Sequence, residues 1–391
     1  MRSVTVLGAT GSVGASAVDI LLQQKDRFSV EAVAAAGNVE ALADVARRLG
    51  AKAAAIAEAD KLAELRQALS GSGIAALAGE SGVIEAAQRP SDAVVGAVAG
   101  TAGLKPTHAA LAAGRRIALA NKECLVCAGT AFMRDARKIG AEIMPVDSEH
   151  NAIFQALAGA PDREVDAIIL TASGGPFRTW DKARIEAAEP RDALAHPTWS
   201  MGAKITIDSA GLMNKGLELV EAHHLFDAPL AKLKVLIHPQ SAVHGLVQFR
   251  DGSLTAGMAA ADMRVPIGHA LNHPERPPLS TRRLDLATMR TLEFFEPNLT
   301  QFPALELVLQ AIEAGGAAPT VLNAANEIAV EAFLAGRFRF GGIANLVAAV
   351  CGWGAGRNWG APETVADALA IDEAARAQAR ALLPVVANAA T

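Results

Sequence analysis

The 391-residue chain predicts an α/β protein with an N-terminal parallel-sheet domain, a second α/β domain and a C-terminal helical domain. Three observations predict it. Over residues 1–146 short apolar runs alternate with amphipathic stretches, the pattern of repeated βα units. Over 147–272 β-branched runs sit among Gly- and Pro-containing loops, and beyond Pro303 the apolar spacing is helical nearly to the end. A chain of this length also exceeds one ordinary core, so several domains are expected.

Taken in order, apolar runs at 4–7, 30–35 and 53–57 are followed by helix-like stretches at 13–23, 38–49 and 61–69. The alternation continues through 93–99, 107–113 and 117–120 into a helix that reaches Lys138. Asn38 and Asp60 stand where N-caps belong, and Gly50 and Gly140 fall just past helix ends. In the second domain strands are expected at 166–171, 204–207, 235–238 and 244–249. A linker is placed at 273–298, because Pro274, Pro277 and Pro278 cannot continue a helix or a central strand. Helices at 304–313, 324–335, 343–350 and 363–383 make residues 299–391 the helical domain.

Composition excludes several classes of function. Hydrophobic residues at 51% and charged ones at 20% describe a folded, soluble chain. A net charge of −5 gives no surface for a polyanion, so no nucleic-acid partner is expected. No stretch is long and apolar enough for a bilayer, and residues 1–7 lead into a strand without a signal or transit pattern. A reducing, cytoplasmic setting follows, and three cysteines agree with it. Cys124 and Cys127 form Cys-x-x-Cys in an Ala-rich helical pattern without a second pair, which reads as structural.

The first chemistry is the turn Gly8-Ala9-Thr10-Gly11-Ser12-Val13-Gly14. It follows the first strand and opens the first helix, with glycines spaced for a tight turn and for close approach of backbone N–H groups to a pyrophosphate. The domain therefore reads as Rossmann-like. Gly37-Asn38, after the second strand, is where the adenosine ribose is read. No carboxylate stands there for a free 2'-hydroxyl, and no Arg or Lys for a 2'-phosphate. Asn121, Lys122 and Glu123, at a later strand end, suit either ligand contact or a capped helix start.

The second chemistry is Asp147-Ser148-Glu149. Two carboxylates at i and i+2 point to one side of an extended segment and suit a hard cation such as Mg2+ or Mn2+. A solvated helix start with favourable dipole interactions is the other reading. The Gly-rich turn at 171–177, containing Ser173, suits an anion. Residues 196–202, with His196, Trp199, Met201 and Gly202, have the make-up of a lid or of a plain surface loop. Residues 205–218 read as a strand entering a helix, on which Asn214, Lys215 and Glu218 face one way. With Ser209 they suit a phosphate, and Glu218 suits the cation. A surface Lys-Glu pair is the alternative.

Together these stretches, with 238–241 and 313–327, resemble the 1-deoxy-D-xylulose 5-phosphate reductoisomerase family over residues 4 to about 345. The resemblance implies an NADPH-binding domain at 1–146, a catalytic domain with a flexible loop at 147–272 and a C-terminal helical domain. It implies a bacterial, cytoplasmic homodimer that uses NADPH and Mg2+ or Mn2+ to isomerise and reduce a phosphorylated sugar to 2-C-methyl-D-erythritol 4-phosphate. Asp147, Glu149 and Glu218 are then the metal ligands, and Ser173, Ser209, Asn214 and Lys215 the phosphate grip. Ser148 and Lys122 touch substrate, and His196, Trp199 and Met201 belong to the closing loop. Glu149, Lys122 and His196 are the expected catalytic groups. Gly8, Thr10, Gly11, Ser12, Val13, Gly14, Gly37, Asn38, Asn121, Glu123 and Gly202 are the expected cofactor contacts. Two departures stand out. Gly37 replaces a basic residue common in the family, and Ala172 replaces a glycine.

Overall fold

The computed structural model describes residues 1–199 and 201–389. Two compact units emerge: residues 1–124, 132–151 and 262–282 form the first, and residues 125–131, 152–261 and those from 283 onward the second.

The first unit is built on seven parallel strands, β1 (Arg2–Leu7), β2 (Phe28–Ala35), β3 (Ala53–Ile56), β4 (Ala75–Ala78), β5 (Ala93–Gly96), β6 (Arg116–Leu119) and β7 (Glu142–Pro145). Their order is β4-β3-β2-β1-β5-β6-β7. The apolar runs are continuous rather than alternating because both faces of such a sheet are covered; Ala53, Ala54, Ala55 and Ile56 are all fully buried. Strand order reverses between β1 and β5, which opens a crevice at their carboxyl ends. Asn38 caps the helix Val39–Leu49 by accepting from Ala41 N at 2.9 Å. Gly50 and Gly140 take left-handed conformations at their helix ends. Asp60 is not a cap: it lies inside the 3-10 turn Ala59–Lys61, and the helix Leu62–Ala68 starts without a side-chain cap.

The helix Arg264–Asn272 belongs to this first unit, not to a domain running from 147 to 272. Asn272 donates to Gln24 Oε1 at 3.0 Å and accepts from Arg27 Nε at 3.1 Å. Arg116 donates to the Ala270 and His273 carbonyls at 3.2 and 2.9 Å. These ties span more than a hundred residues of sequence, beyond the reach of local pattern. The boundary at 282/283 falls inside the expected linker 273–298.

The second unit carries a mixed sheet of β8 (Val165–Ala172), β9 (Leu233–Ile237), β10 (Val243–Phe249) and β11 (Leu254–Met258), in the order β11-β10-β8-β9. β8 and β9 are parallel and the other pairs antiparallel. The helices Pro303–Ala314, Ala318–Leu334, Gly341–Ala355 and Val365–Ala389 share one hydrophobic core with this sheet, through Ile168, Leu170, Phe177, Leu217, Phe333 and Val347. These helices are the helical C-terminal region, which lies within the second unit. Phe340 joins the layers, with edge-on contacts to Phe177 at 5.0 Å and Phe333 at 5.5 Å between ring centroids.

The strand expected at 204–207 is helical. Residues Ala203–Ala210 form a helix that meets the helix Met213–Leu225 at a corner where Leu212 takes φ 61°. Thr206 Oγ1 donates back to the Gly202 carbonyl at 2.9 Å, and Lys204 pairs with Asp208 at 2.9 Å, four residues on. These local contacts add to the burial of Ile207 and Ala210 in the core, and together they hold the β-branched Ile205-Thr206-Ile207 run in a helix. Among the described residues no helix is long and apolar enough to cross a membrane.

Candidate active site

In the first unit the glycine turn sits at the reversal of strand order. Gly8 and Ala9 donate to the Ala34 carbonyl at 2.9 and 2.8 Å, and Gly11 closes the turn on the Gly8 carbonyl at 3.0 Å. Gly8 has φ +85°, and a Cβ there would lie 2.4 Å from the Ala97 carbonyl oxygen. A Cβ on Gly14 would come within 2.0 Å of the Gly8 carbonyl oxygen, so only glycine lets the helix Ser12–Gln23 start so close to β1. Gly11 provides no side-chain cap, and Thr10, Gly11 and Ser12 are exposed. The first-turn N–H groups, Val13 included, are therefore not taken up by a capping side chain.

At the carboxyl ends of β6 and β7 the structure pairs Lys122 with Asp147, Nζ to Oδ2 at 2.6 Å, with side chains 7% and 15% exposed. Asp147 Oδ1 accepts from Ser148 N at 3.0 Å, and its carbonyl accepts from Asn151 N at 2.9 Å. The helix begins at Ser148, so Glu149 occupies its first turn. The same-side argument for an extended i, i+2 pair therefore does not apply. Ser148 Oγ donates to Glu149 Oε2. Asn151 anchors the turn, donating to the Pro145 carbonyl at 2.9 Å and meeting His269 Nδ1 at 3.0 Å.

Asn121 is buried, and its side chain holds the chain itself: Oδ1 accepts from Cys124 N at 3.1 Å and Nδ2 donates to the Gly100 carbonyl at 3.0 Å. Lys122 and Glu123 are also buried. Cys124 and Cys127 are buried and unbridged, and Asn323 Nδ2 reaches Cys127 Sγ at 3.5 Å, in keeping with the structural reading. Gly37 and Asn38 follow β2; Gly37 is half-buried and Asn38 exposed.

In the second unit Ser173, His196 and Ser209 form one cluster. His196 Nε2 lies 3.2 Å from each hydroxyl oxygen. Its Nδ1 accepts from Trp199 N at 2.9 Å and Thr198 N at 3.2 Å, so the ring's proton sits on Nε2, facing the hydroxyls. Burial lowers the His196 pKa from its ordinary value and favours the neutral ring. Ser173 Oγ accepts from Gly175 N at 3.1 Å, and a Cβ on Gly175 would lie 2.8 Å from the Ser209 carbonyl oxygen. The Gly-rich turn is thus pressed against the helix that carries Ser209. Trp199 is half-buried against the His244 ring, 6.0 Å between centroids, and Met201 is half-buried. Gly202 caps the helix Ala203–Ala210, and Ser200, part of the expected loop, lies outside the described residues.

Asn214, Lys215 and Glu218 do face one way, but not toward solvent. Lys215 Nζ is ion-paired with Glu218 Oε2, with side chains 4% and 1% exposed, and Asn214 Nδ2 donates to Glu218 Oε1 at 2.5 Å. A Cβ on Gly216 would lie 2.5 Å from Val308 Cγ2, so the helix Pro303–Ala314 presses directly on the helix that presents these groups. Two fully buried groups were not singled out by spacing: His150, and Glu221 one turn beyond Glu218. The Glu218/Glu221 i, i+3 repeat inside an apolar helix was the available signal.

Three family models match the chain: 1-deoxy-D-xylulose 5-phosphate reductoisomerase over residues 4–129, its C-terminal domain over 143–226, and the DXP reductoisomerase C-terminal domain over 258–378. The reductoisomerases of Bradyrhizobium sp. (strain ORS 278) and Afipia carboxidovorans are similar, at 52% identity over 100% of this chain and 96% of that protein, and at 53% over 99% and 95%. Among solved structures, the Zymomonas mobilis reductoisomerase in complex with NADPH aligns with TM-score 0.91 and 46% identity, covering 98% of this chain and 99% of that one. A DOX-P reductoisomerase in complex with NADPH, fosmidomycin and magnesium aligns with TM-score 0.93 and 40% identity, covering 99% of each. With family models matching most of its length and relatives above 50% identical over nearly all of it, this chain belongs to the 1-deoxy-D-xylulose 5-phosphate reductoisomerase family.

Proposed function

We propose that the chain converts 1-deoxy-D-xylulose 5-phosphate to 2-C-methyl-D-erythritol 4-phosphate, with NADPH as hydride donor and a divalent cation, Mg2+ or Mn2+. The observation that carries this reading is the end-to-end likeness to a reductoisomerase solved with NADPH, fosmidomycin and magnesium. The residues fit both groups. Gly8 and Gly14 let the uncapped helix start pack tightly at the end of β1, the arrangement that offers backbone N–H groups to a pyrophosphate. Asp147, Glu149 and Glu218 offer only carboxylate oxygens, the donor chemistry a hard cation takes.

Asp147, Glu149 and Glu218 hold the cation in this reading; when bound it supplies Lewis-acid polarisation of the substrate's oxygens. Lys122 pairs with Asp147 and Lys215 with Glu218. The phosphate is gripped by the hydroxyls of Ser173 and Ser209, the Asn214 amide and the Lys215 ammonium, with His196 Nε2–H as a further donor. Ser148 contacts the sugar backbone, Glu149 and Lys122 move protons among its hydroxyls, and His196 with Trp199, Met201 and Gly202 excludes water until hydride arrives. Thr10, Gly11, Ser12, Val13, Gly37, Asn38, Asn121 and Glu123 complete the NADPH contacts. Two copies assemble as a homodimer in a bacterial cytoplasm.

The test is a coupled assay of purified protein with NADPH, Mg2+ or Mn2+ and 1-deoxy-D-xylulose 5-phosphate, read as loss of nicotinamide absorbance. Absorbance should fall only with all three present. Oxidation that survives exhaustive chelation would overturn the metal-dependent mechanism.

A further inference from the structure

The sequence at Gly37 lacks the side chain that would recognise a 2'-phosphate, and the structure brings a lysine from the segment after β3 onto the Gly37 carbonyl. Past the end of β2 the chain is bound to the loop that follows β3: Ala57 N donates to the carbonyls of Ala35 and Ala36 at 2.9 and 3.0 Å, and Glu58 N to Ala36 at 3.1 Å. Through this contact Lys61 Nζ reaches the Gly37 carbonyl at 2.6 Å and Glu58 Oε2 at 2.8 Å. A Cβ built on residue 37 would fall 2.0 Å from Glu58 Oε1. The Glu58 carboxylate therefore occupies the volume that a side chain at 37 would enter, and Lys61 is tied to both that carboxylate and the Gly37 carbonyl.

We propose that Lys61 is the cation that recognises the adenosine 2'-phosphate of NADPH, with Glu58 as the residue that positions it; this rests on the NADPH reading above. Of residues 36–41 and 57–61, which span the turns after β2 and β3 and the helical starts they lead into, Lys61 alone is basic. An ammonium carries three donors, and the Gly37 carbonyl and Glu58 use two, leaving one for a phosphate oxygen. Its side chain is 34% exposed, so a ligand reaches it. The hydrogen bond it donates to Glu58 raises its pKa, which keeps it charged throughout the neutral range. The start of the helix Val39–Leu49 lies at the same place and adds a favourable dipole for an anion. Glu40, Glu58 and Asp60 in the same loops oppose a phosphate, so discrimination depends on the lysine rather than on a broad positive field.

The experiment measures dissociation constants of NADPH and NADH for the full chain by nicotinamide fluorescence, with wild type, Lys61→Ala, Lys61→Arg and Glu58→Gln. Losing one charge-assisted contact should weaken NADPH by roughly ten- to a hundredfold while NADH stays within about twofold. Lys61→Arg should retain most of the NADPH affinity, because the charge remains. Unchanged far-ultraviolet circular dichroism and Tm exclude misfolding. Equal weakening of both cofactors, or NADPH affinity unchanged in Lys61→Ala, overturns the assignment. Glu58→Gln that weakens NADH alone also overturns it, because Glu58 would then read a 2'-hydroxyl. Failure of wild type to bind NADPH at all would instead overturn the cofactor reading.

Discussion

Lys215 and Glu218 form an ion pair one helical turn apart that is almost wholly buried, at 4% and 1% side-chain exposure. A charge pair in that setting is costly to place in a core, and removing one partner leaves the other uncompensated. Glu218→Gln preserves shape but removes the carboxylate, so turnover should fall at least roughly a hundredfold. NADPH binding at the glycine turn should not change. Steady-state kinetics beside a fluorescence titration of NADPH check both outcomes. Lys215→Met, by contrast, should also destabilise the fold by about 3 kcal/mol, read in a denaturant titration.

Asp147 stands 2.6 Å from Lys122. Asp147→Asn leaves the Oδ1 contact to Ser148 N possible while deleting the charge. The Mg2+ concentration for half-maximal rate should rise roughly ten- to a hundredfold, with NADPH affinity within about twofold of wild type. A metal titration of initial rate settles it; an unchanged metal requirement would remove Asp147 from the ligand set.

Gly14 cannot accept a methyl group without moving backbone, because the neighbouring atom is the Gly8 carbonyl oxygen at 2.0 Å. Gly14→Ala should cost about 1–3 kcal/mol in stability and abolish tight NADPH binding. Thermal unfolding with and without NADPH separates the two effects: the wild-type Tm should rise on adding cofactor and the variant's should not.

His269 is held neutral. Burial first, then the positive charges of Arg276, His273 and Arg116, lowers its pKa to about 4. An unfolded histidine titrates near 6.5. Between about 4 and 6.5 the unfolded chain binds the additional proton, so stability should rise with pH across that window and fall as pH drops through it. Denaturation midpoints from pH 4 to 7 should show this slope, and His269→Gln should flatten it. A slope unaffected by the substitution would assign it to other groups.

The sequence by itself determined what depends on near neighbours. Alternating apolar runs specify the βα units, the glycines at 8, 11 and 14 specify a phosphate-binding turn, and Asn38, Gly50 and Gly140 punctuate helices by local hydrogen bonds or backbone conformation. The spacing of Asn214, Lys215 and Glu218 puts them on one helical face. Burial of that face depends on Val308 and the helix behind it, almost a hundred residues away. The tertiary structure alone decided that 204–207 is helix, where burial of Ile207 and Ala210 in the core overrules β-branched propensity. It alone returned Arg264–Asn272 to the first sheet through Gln24 and Arg27, and merged the terminal helices into the core of β8–β11. It also set Glu58 and Lys61 into the space beside Gly37. The reason is common to all four: local propensity and spacing bias short segments, but which distant surfaces exclude water together is a property of the closed chain.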